Sequence, residues 1–219
     1  YIKSGHYIIK DEINNNQLLN TLRAGNQTPV KFTFNNIRTI EQLASRIDEQ
    51  LEMDSLDFIY AIQKHDILKT MGFDKYNYAS LFIPNTYELY WNIDPDEFVD
   101  KMIAEYNHFW NEERLNKTKT IGLNPIEVSI LASIVDKETA KNSEMPRIAG
   151  VYLNRLKKNW LLQADPTLIF ALGDFEIKRV LDVHKKTESP YNTYKYVGLP
   201  PGPICIPSIA AIDAVLNAE

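Results

Sequence analysis

The sequence predicts an α+β fold that is mainly helical, with a small strand-bearing piece at its N-terminus. Two patterns carry that prediction. Val30 to Phe34, Val-Lys-Phe-Thr-Phe, alternates with the period of two that a half-buried strand requires. From Thr39 onward, apolar residues instead recur at helical spacing in one segment after another. The third observation is one of scale: 219 residues with 44% hydrophobic content can bury a sizeable core.

Taken in order, Gly5 to Ile9 reads as a short strand and Asn14 to Leu22 as a helix, capped by an Asn run and ended near Gly25. With Val30 to Phe34 they form a strand–helix–strand piece too small to hold a core alone, and Asn36 marks the expected boundary between residues 1–36 and 37–219. A helix from Thr39 to Leu51 follows, with Ile40, Leu43, Ala44 and Ile47 on one face. Helices are expected from Asp54 and over Asp66 to Met71, the latter ended by Gly72. Ser80 to Trp91 reads as a strand-like start, a proline-bearing turn and dense aromatics. Pro95 to Lys117 has the pattern of one long amphipathic helix. Pro125 to Ala140 is a helix capped by Asn124 with proline in its first turn, and another runs from about Met145 to Lys158. Asp165 is placed to cap a helix beginning at Pro166. Tyr191 to Pro207 has a proline and glycine density that fixes dihedrals and excludes regular structure, and Ser208 caps a final helix, Ile209 to Leu216.

The formal charge is 24 − 29 = −5, and no block of Lys and Arg stands out. This argues against a nucleic-acid groove, which needs clustered cations to neutralise phosphates. Three Trp, twelve Tyr and nine Phe would suit sugar stacking, although aromatics also fill cores. A single cysteine, Cys205, rules out an intrachain disulfide and a Cys-based zinc cluster, and the four His lack metal-ligand spacing. No cofactor is called for. There is no signal peptide and no apolar run of membrane-spanning length, and the abrupt opening at Tyr1 reads as that of an excised soluble fragment.

One position breaks the local rules. At ~100° per residue, Leu131, Ile134 and Val135 form an apolar helix face, and Glu138 falls next on it, while Ser129, Ala132, Ser133 and Asp136 lie on a more polar side. A glutamate on a packing face loses hydration, which raises its pKa and suits it to donate a proton to a leaving oxygen. The plain alternatives are a core-edge glutamate paired with Arg or Lys, or a carboxylate reaching past the core to water. Three other features could share a site: the turn Gln163–Ala164–Asp165, the run Tyr191 to Tyr194, and the turn Phe82 to Tyr87. Each also has a structural reading, as helix cap, turn and core. Together they describe a cleft with one recessed acid, amide and hydroxyl groups and aromatic surfaces, an inventory that fits polysaccharide cleavage.

Six stretches then occur in an order and spacing that resemble one family. They are Phe82-Ile83-Pro84-Asn85-Thr86-Tyr87, Leu131 to Thr139 (LASIVDKET), Val151 to Leu156 (VYLNRL), Leu162 to Thr167 (LQADPT), Tyr191-Asn192-Thr193-Tyr194 and Gly198 to Ile204 (GLPPGPI). The chain is similar over nearly its whole length to the endolytic murein transglycosylases of the MltG/YceG-like group. That resemblance implies a lysozyme-like catalytic domain preceded by a LysM-like unit, of which residues 1–36 would be a remainder, and a parent protein held in the bacterial cytoplasmic membrane by one N-terminal helix with this part outside. It also implies a further segment, with His and Asn, beyond residue 219. The family's helix motif carries two glutamates, the second catalytic; it maps to Glu138, and the first is Asp136 here. The implied substrate is the peptidoglycan glycan strand, cleaved without water to a 1,6-anhydromuramyl end, with peptidoglycan synthases as possible partners. Gln163, Asp165, Thr167, Tyr191, Asn192 and Tyr194 are the expected substrate-positioning residues. Two rival readings are a lysozyme-type hydrolase using Asp165 or Asp136 as second carboxylate, and a non-catalytic peptidoglycan-binding scaffold.

Overall fold

A computed structural model describes residues 1–219. Its only sheet is a two-stranded antiparallel pair, β1 (Val30–Phe34) and β2 (Asn85–Leu89), with Phe32 opposite Tyr87. The period-two reading holds: Phe32 and Phe34 are buried while Lys31 and Thr33 face solvent. Around this sheet and beyond it lie ten helices: α1 (Asn15–Ala24), α2 (Ile40–Gln50), α3 (Ser55–Lys64), α4 (Asp66–Thr70), α5 (Pro95–Phe109), α6 (Glu112–Ile121), α7 (Pro125–Glu138), α8 (Met145–Lys157), α9 (Asp165–Leu172) and α10 (Ile209–Leu216). Their starts follow the capping chemistry read from the sequence. Asn14, Thr39, Asp54, Asn124 and Ser208 each accept a backbone N–H in the first turn, and Glu127 completes a capping box with Asn124.

Three expectations need correction. Residues 5–9 form no strand: Ile8 and Ile9 are exposed, and a single backbone bond, from the Thr28 N–H to the His6 carbonyl at 2.8 Å, ties the segment to the chain before β1, too little to build a ladder. β1 pairs with β2, and Phe32 and Phe34 belong to one core of 44 buried residues that runs to Leu216. The strand in the aromatic segment follows Pro84 rather than preceding it; Tyr78–Leu81 is a 3₁₀ turn. The long helix expected over 95–117 is two. Trp110 leaves helical geometry at φ −82°, ψ 58°, and Asn111 caps α6 by accepting from the Arg114 N–H. The apolar period also stops there, since the next positions on that face, Glu113, Arg114 and Lys117, are charged, and Asn111 followed by two glutamates is a helix-start signal that the reading of one long helix passed over.

The core has two regions. Near the sheet, Phe34 stacks on Tyr87 at 5.8 Å, and Phe58 meets Phe82 and Phe98 edge-on. The second region surrounds α7, which packs against α6, α8, α9 and α10. Every residue of α7 from Val128 to Val135 is buried, including Ser129 and Ser133. The side read as polar is therefore inside as well. Its hydroxyls are satisfied: Ser129 Oγ donates to the Pro125 carbonyl at 3.1 Å, while Ser133 Oγ donates to Ile130 O at 2.7 Å and accepts from Ile204 N at 3.0 Å. The last bond pins the Pro/Gly-rich segment to the central helix. None of the helices is long and apolar enough to cross a membrane.

Candidate active site

The C-terminal end of α7 delivers Glu138 out of the core. Glu138 is the last helical residue and is solvent-exposed, not buried on the packing face as the periodicity predicts. The reason is axial position: the core covers α7 up to Val135, and the helix then emerges. An acidic residue at this end opposes the helix dipole, a local cost of roughly 0.3–1 kcal/mol. Glu138 also has no Lys, Arg or His partner within ion-pair distance. It opens instead into a groove of about 360 Å³ lined by Ile148, Val151, Tyr152, Arg155, Gln163, Asp165 and Tyr194.

The first wall is α8. Ile148, Val151, Tyr152 and Arg155 stand at i, i+3, i+4 and i+7, one face of the helix. Tyr152 is buried, and its hydroxyl donates to Glu138 Oε1 at 2.6 Å. Burial and this bond push the Tyr152 phenol well above the ordinary tyrosine range, so it stays a donor. Glu138 Oε2 has no partner within the chain and faces the groove. Arg155 clips the next turn by donating from Nη1 to the Leu162 carbonyl.

The second wall is the turn from Asn159 to Asp165. Gln163 sits in the left-handed region at φ 52°, strain of roughly 1–3 kcal/mol for a residue without special preference for it. Its backbone N–H is held by the Thr193 carbonyl at 3.0 Å. Asp165 does not cap α9; it is the first helical residue, the cap is Ala164, and no side chain bonds there. The Asp165 carboxylate is turned to the groove and accepts the Tyr194 hydroxyl at 2.5 Å. Burial, then that bond, push the Tyr194 phenol up to about 12, and the charges of Glu138 and Arg155 also reach it.

Of the site residues expected from the sequence, Glu138, Gln163, Asp165 and Tyr194 thus line one groove. Thr167 and Asn192 do not. Both are fully buried: Thr167 Oγ1 donates to Ala164 O and meets Thr193 Oγ1 at 2.8 Å, and Asn192 Nδ2 donates to Lys185 O and Thr187 O. They shape the turn from behind and leave no polar surface for a ligand. Tyr191 packs on Phe170 at 4.7 Å, with its hydroxyl 3.5 Å from the Tyr76 carbonyl, and does not line the groove. Phe82 and Tyr87 are core residues. Asp136 accepts the Ser208 hydroxyl at 2.5 Å beside the start of α10, away from the groove, as its angular separation from Glu138 implies. Tyr152 and Arg155 are the residues sequence reasoning missed. Their signal was present in the α8 face repeat inside the VYLNRL stretch. No cluster of three His, Cys, Asp or Glu side chains is gathered to hold a metal ion.

The chain is 28% identical over 248 aligned residues to a Streptococcus pneumoniae protein named endolytic murein transglycosylase, covering 99% of this chain and 44% of that protein. A Bacillus subtilis protein of the same name is 33% identical over 129 residues, 58% of this chain and 36% of the relative. The chain therefore spans less than half the length of the curated relatives it matches. A crystal structure of a YceG-like protein from Listeria monocytogenes superposes with a TM-score of 0.73 at 24% identity, covering all of this chain and 77% of that one, which establishes the shared fold. The sequence profile of the YceG-like family matches residues 1–219, the whole length described, and the chain belongs to that family.

Proposed function

We propose that the protein carrying this chain is an endolytic lytic transglycosylase acting on nascent peptidoglycan strands, with Glu138 as its acid and base. The observation that carries this reading is the placement of Glu138: one carboxyl oxygen fixed by Tyr152, the other free in a groove lined by Arg155, Gln163, Asp165 and Tyr194. The relatives' name, endolytic murein transglycosylase, supplies the substrate class.

In the proposed reaction, Glu138 gives its proton to the oxygen of the β-1,4 bond between N-acetylmuramic acid and N-acetylglucosamine. The bond from that oxygen to the muramyl anomeric carbon breaks as positive charge develops on the ring. The Glu138 carboxylate then takes the proton of the muramyl C6 hydroxyl, whose oxygen closes on the anomeric carbon. The products are a free 4-hydroxyl and a 1,6-anhydromuramyl end; no water is consumed, and Glu138 ends as it began. An internal nucleophile explains why a second carboxylate, which ordinary glycosidases need, is not required. Positioned proton transfer supplies roughly 10²–10⁴-fold, and orientation of the sugars in the groove supplies the remainder. Cleavage within growing strands would end their elongation, beside the synthases that extend them.

The finer fold reading belongs to the same proposal: a lysozyme-like catalytic body, the remainder of a LysM-like unit before it, and a parent protein anchored by one helix in the cytoplasmic membrane with this part outside. The test is mass spectrometry of muropeptides released by the full-length protein and by Glu138→Gln. Anhydromuramyl ends from the wild type and none from the variant are expected. Reducing muramyl ends would favour the hydrolase reading, which the presence of Asp165 in the same groove keeps specific. Undiminished cleavage by Glu138→Gln would refute the assignment.

A further inference from the structure

A second pocket adjoins the groove. It measures about 200 Å³ and is lined by Arg38, Lys137, Pro166, Ile169, Phe170, Phe175, Ile177 and Ile204. Its walls continue those of the groove. Lys137 precedes Glu138 at the end of α7, and Pro166 follows Asp165 at the start of α9. Residues adjacent in sequence thus line the two spaces at both places.

One of the two cations in this pocket, Arg38, has no counter-ion within the chain. The Arg38 guanidinium lies 4.3 Å from the centre of the Phe175 ring and makes no hydrogen bond or ion pair to any side chain or carbonyl. The Lys137 side chain is 21% exposed; its ammonium donates to Asn36 Oδ1 at 3.0 Å and lies 4.0 Å from Asp136 Oδ2, the other oxygen of that carboxylate accepting the Ser208 hydroxyl. Two cations thus border an apolar recess in a protein whose net charge is −5. A guanidinium stacked on an aromatic ring presents its fork of donors in a fixed plane, which matches a carboxylate.

We propose that this pocket binds the acidic peptide substituent of the muramyl sugar, with Arg38 pairing a peptide carboxylate, Lys137 adding charge, and the Ile169, Phe175 and Ile177 surfaces covering its apolar side chains. The proposal rests on the transglycosylase reading of the adjoining groove and adds to it that the enzyme distinguishes peptide-bearing from bare strands. Its recognition element, Arg38 with Lys137, lies in the adjoining pocket rather than in the groove itself.

The test uses the full-length protein and three substitutions, Arg38→Gln, Arg38→Lys and Glu138→Gln, in two measurements. First, KM and kcat are determined on peptide-bearing glycan strands and on strands stripped of peptide by an amidase. Arg38→Gln is expected to raise KM on peptide-bearing strands about tenfold or more, the scale of a lost charged hydrogen bond, with kcat retained and bare strands cut as by wild type. Arg38→Lys should recover part of the loss. Equal KM values for wild type and Arg38→Gln on both strands, or an equal loss on both, overturn the proposal. Second, a soluble acidic stem peptide is titrated by calorimetry into Glu138→Gln with and without Arg38→Gln. Binding that depends on Arg38 and weakens with salt supports the pocket even if neither strand is cleaved, an outcome that would sink only the transglycosylase reading. Peptide binding that is absent or indifferent to Arg38 overturns the pocket.

Discussion

Replacing Tyr152 with phenylalanine removes one atom from the proposed machinery and leaves the ring that packs α8 in place. The hydroxyl lies 2.6 Å from Glu138 Oε1 and is the only hydrogen bond the chain makes to that carboxyl group. In the proposed reaction it gains strength as Glu138 loses its proton, because the acceptor becomes an anion; it therefore favours the transition state over the ground state. A hydrogen bond to a charged group is worth about 1.5–3 kcal/mol. Lost from the barrier alone, that corresponds to a fall of roughly 10- to 150-fold in kcat, with KM little changed. Stability should move by less than about 1 kcal/mol, since Glu138 is exposed and water can replace the lost donor. The assay is the initial rate of strand cleavage beside a urea denaturation curve for each protein. A Tyr152→Phe enzyme with kcat within twofold of wild type and an unchanged denaturation midpoint would refute the claim that Tyr152 positions and stabilises the Glu138 carboxylate.

Other predictions bear on the supports. Thr193→Val removes the acceptor of the buried Ala164 N–H (3.0 Å) and the partner of Thr167, and should cost about 1–3 kcal/mol in urea unfolding while raising KM through displacement of Gln163 and Asp165. Gly202→Ala would set a Cβ 1.8 Å from the Tyr76 carbonyl oxygen, so the Pro/Gly segment must shift; a lowered melting temperature is expected, and an unchanged one would contradict the close approach. Burial raises the Tyr194 phenol from 10.0 to about 12 and the Cys205 thiol from 9.0 to about 12. Folded values above unfolded ones mean that their contribution is complete below about pH 9 and is lost as pH rises towards 12, so Tyr194→Phe should flatten the fall of melting temperature between pH 10 and 12. Native Cys205 should also resist thiol reagents near pH 8, and rapid labelling would show that its burial is wrong.

The sequence by itself determined five of the ten helix starts through capping, because capping is local: an Asn, Thr, Asp or Ser side chain satisfies an N–H two or three residues on, whatever the remainder of the chain does. It determined β1 and the irregular segment before α10 for the same reason, through alternation and proline. It also singled out Glu138. What it misjudged required knowledge of neighbours. A strand at 5–9 needs a continuous partner edge, and one backbone bond, from Thr28 N–H to His6 O, is all the neighbouring segment supplies. Ser129 and Ser133 look like a polar face until Ile204 and the helix's own carbonyls take their hydroxyls inside. Glu138 looks inward on a helical wheel, which has no axial coordinate; the tertiary structure ends the core at Val135 and puts the carboxyl group in an open groove. The same blindness placed Thr167 and Asn192 among ligand-facing residues, although both are buried behind the wall, and passed over Tyr152 and Arg155 on a helix that only folding brings against α7. Local chemistry therefore fixes where elements begin, whereas which side chains meet in a groove depends on packing between segments distant in sequence, as between Glu138, Tyr152 and Tyr194.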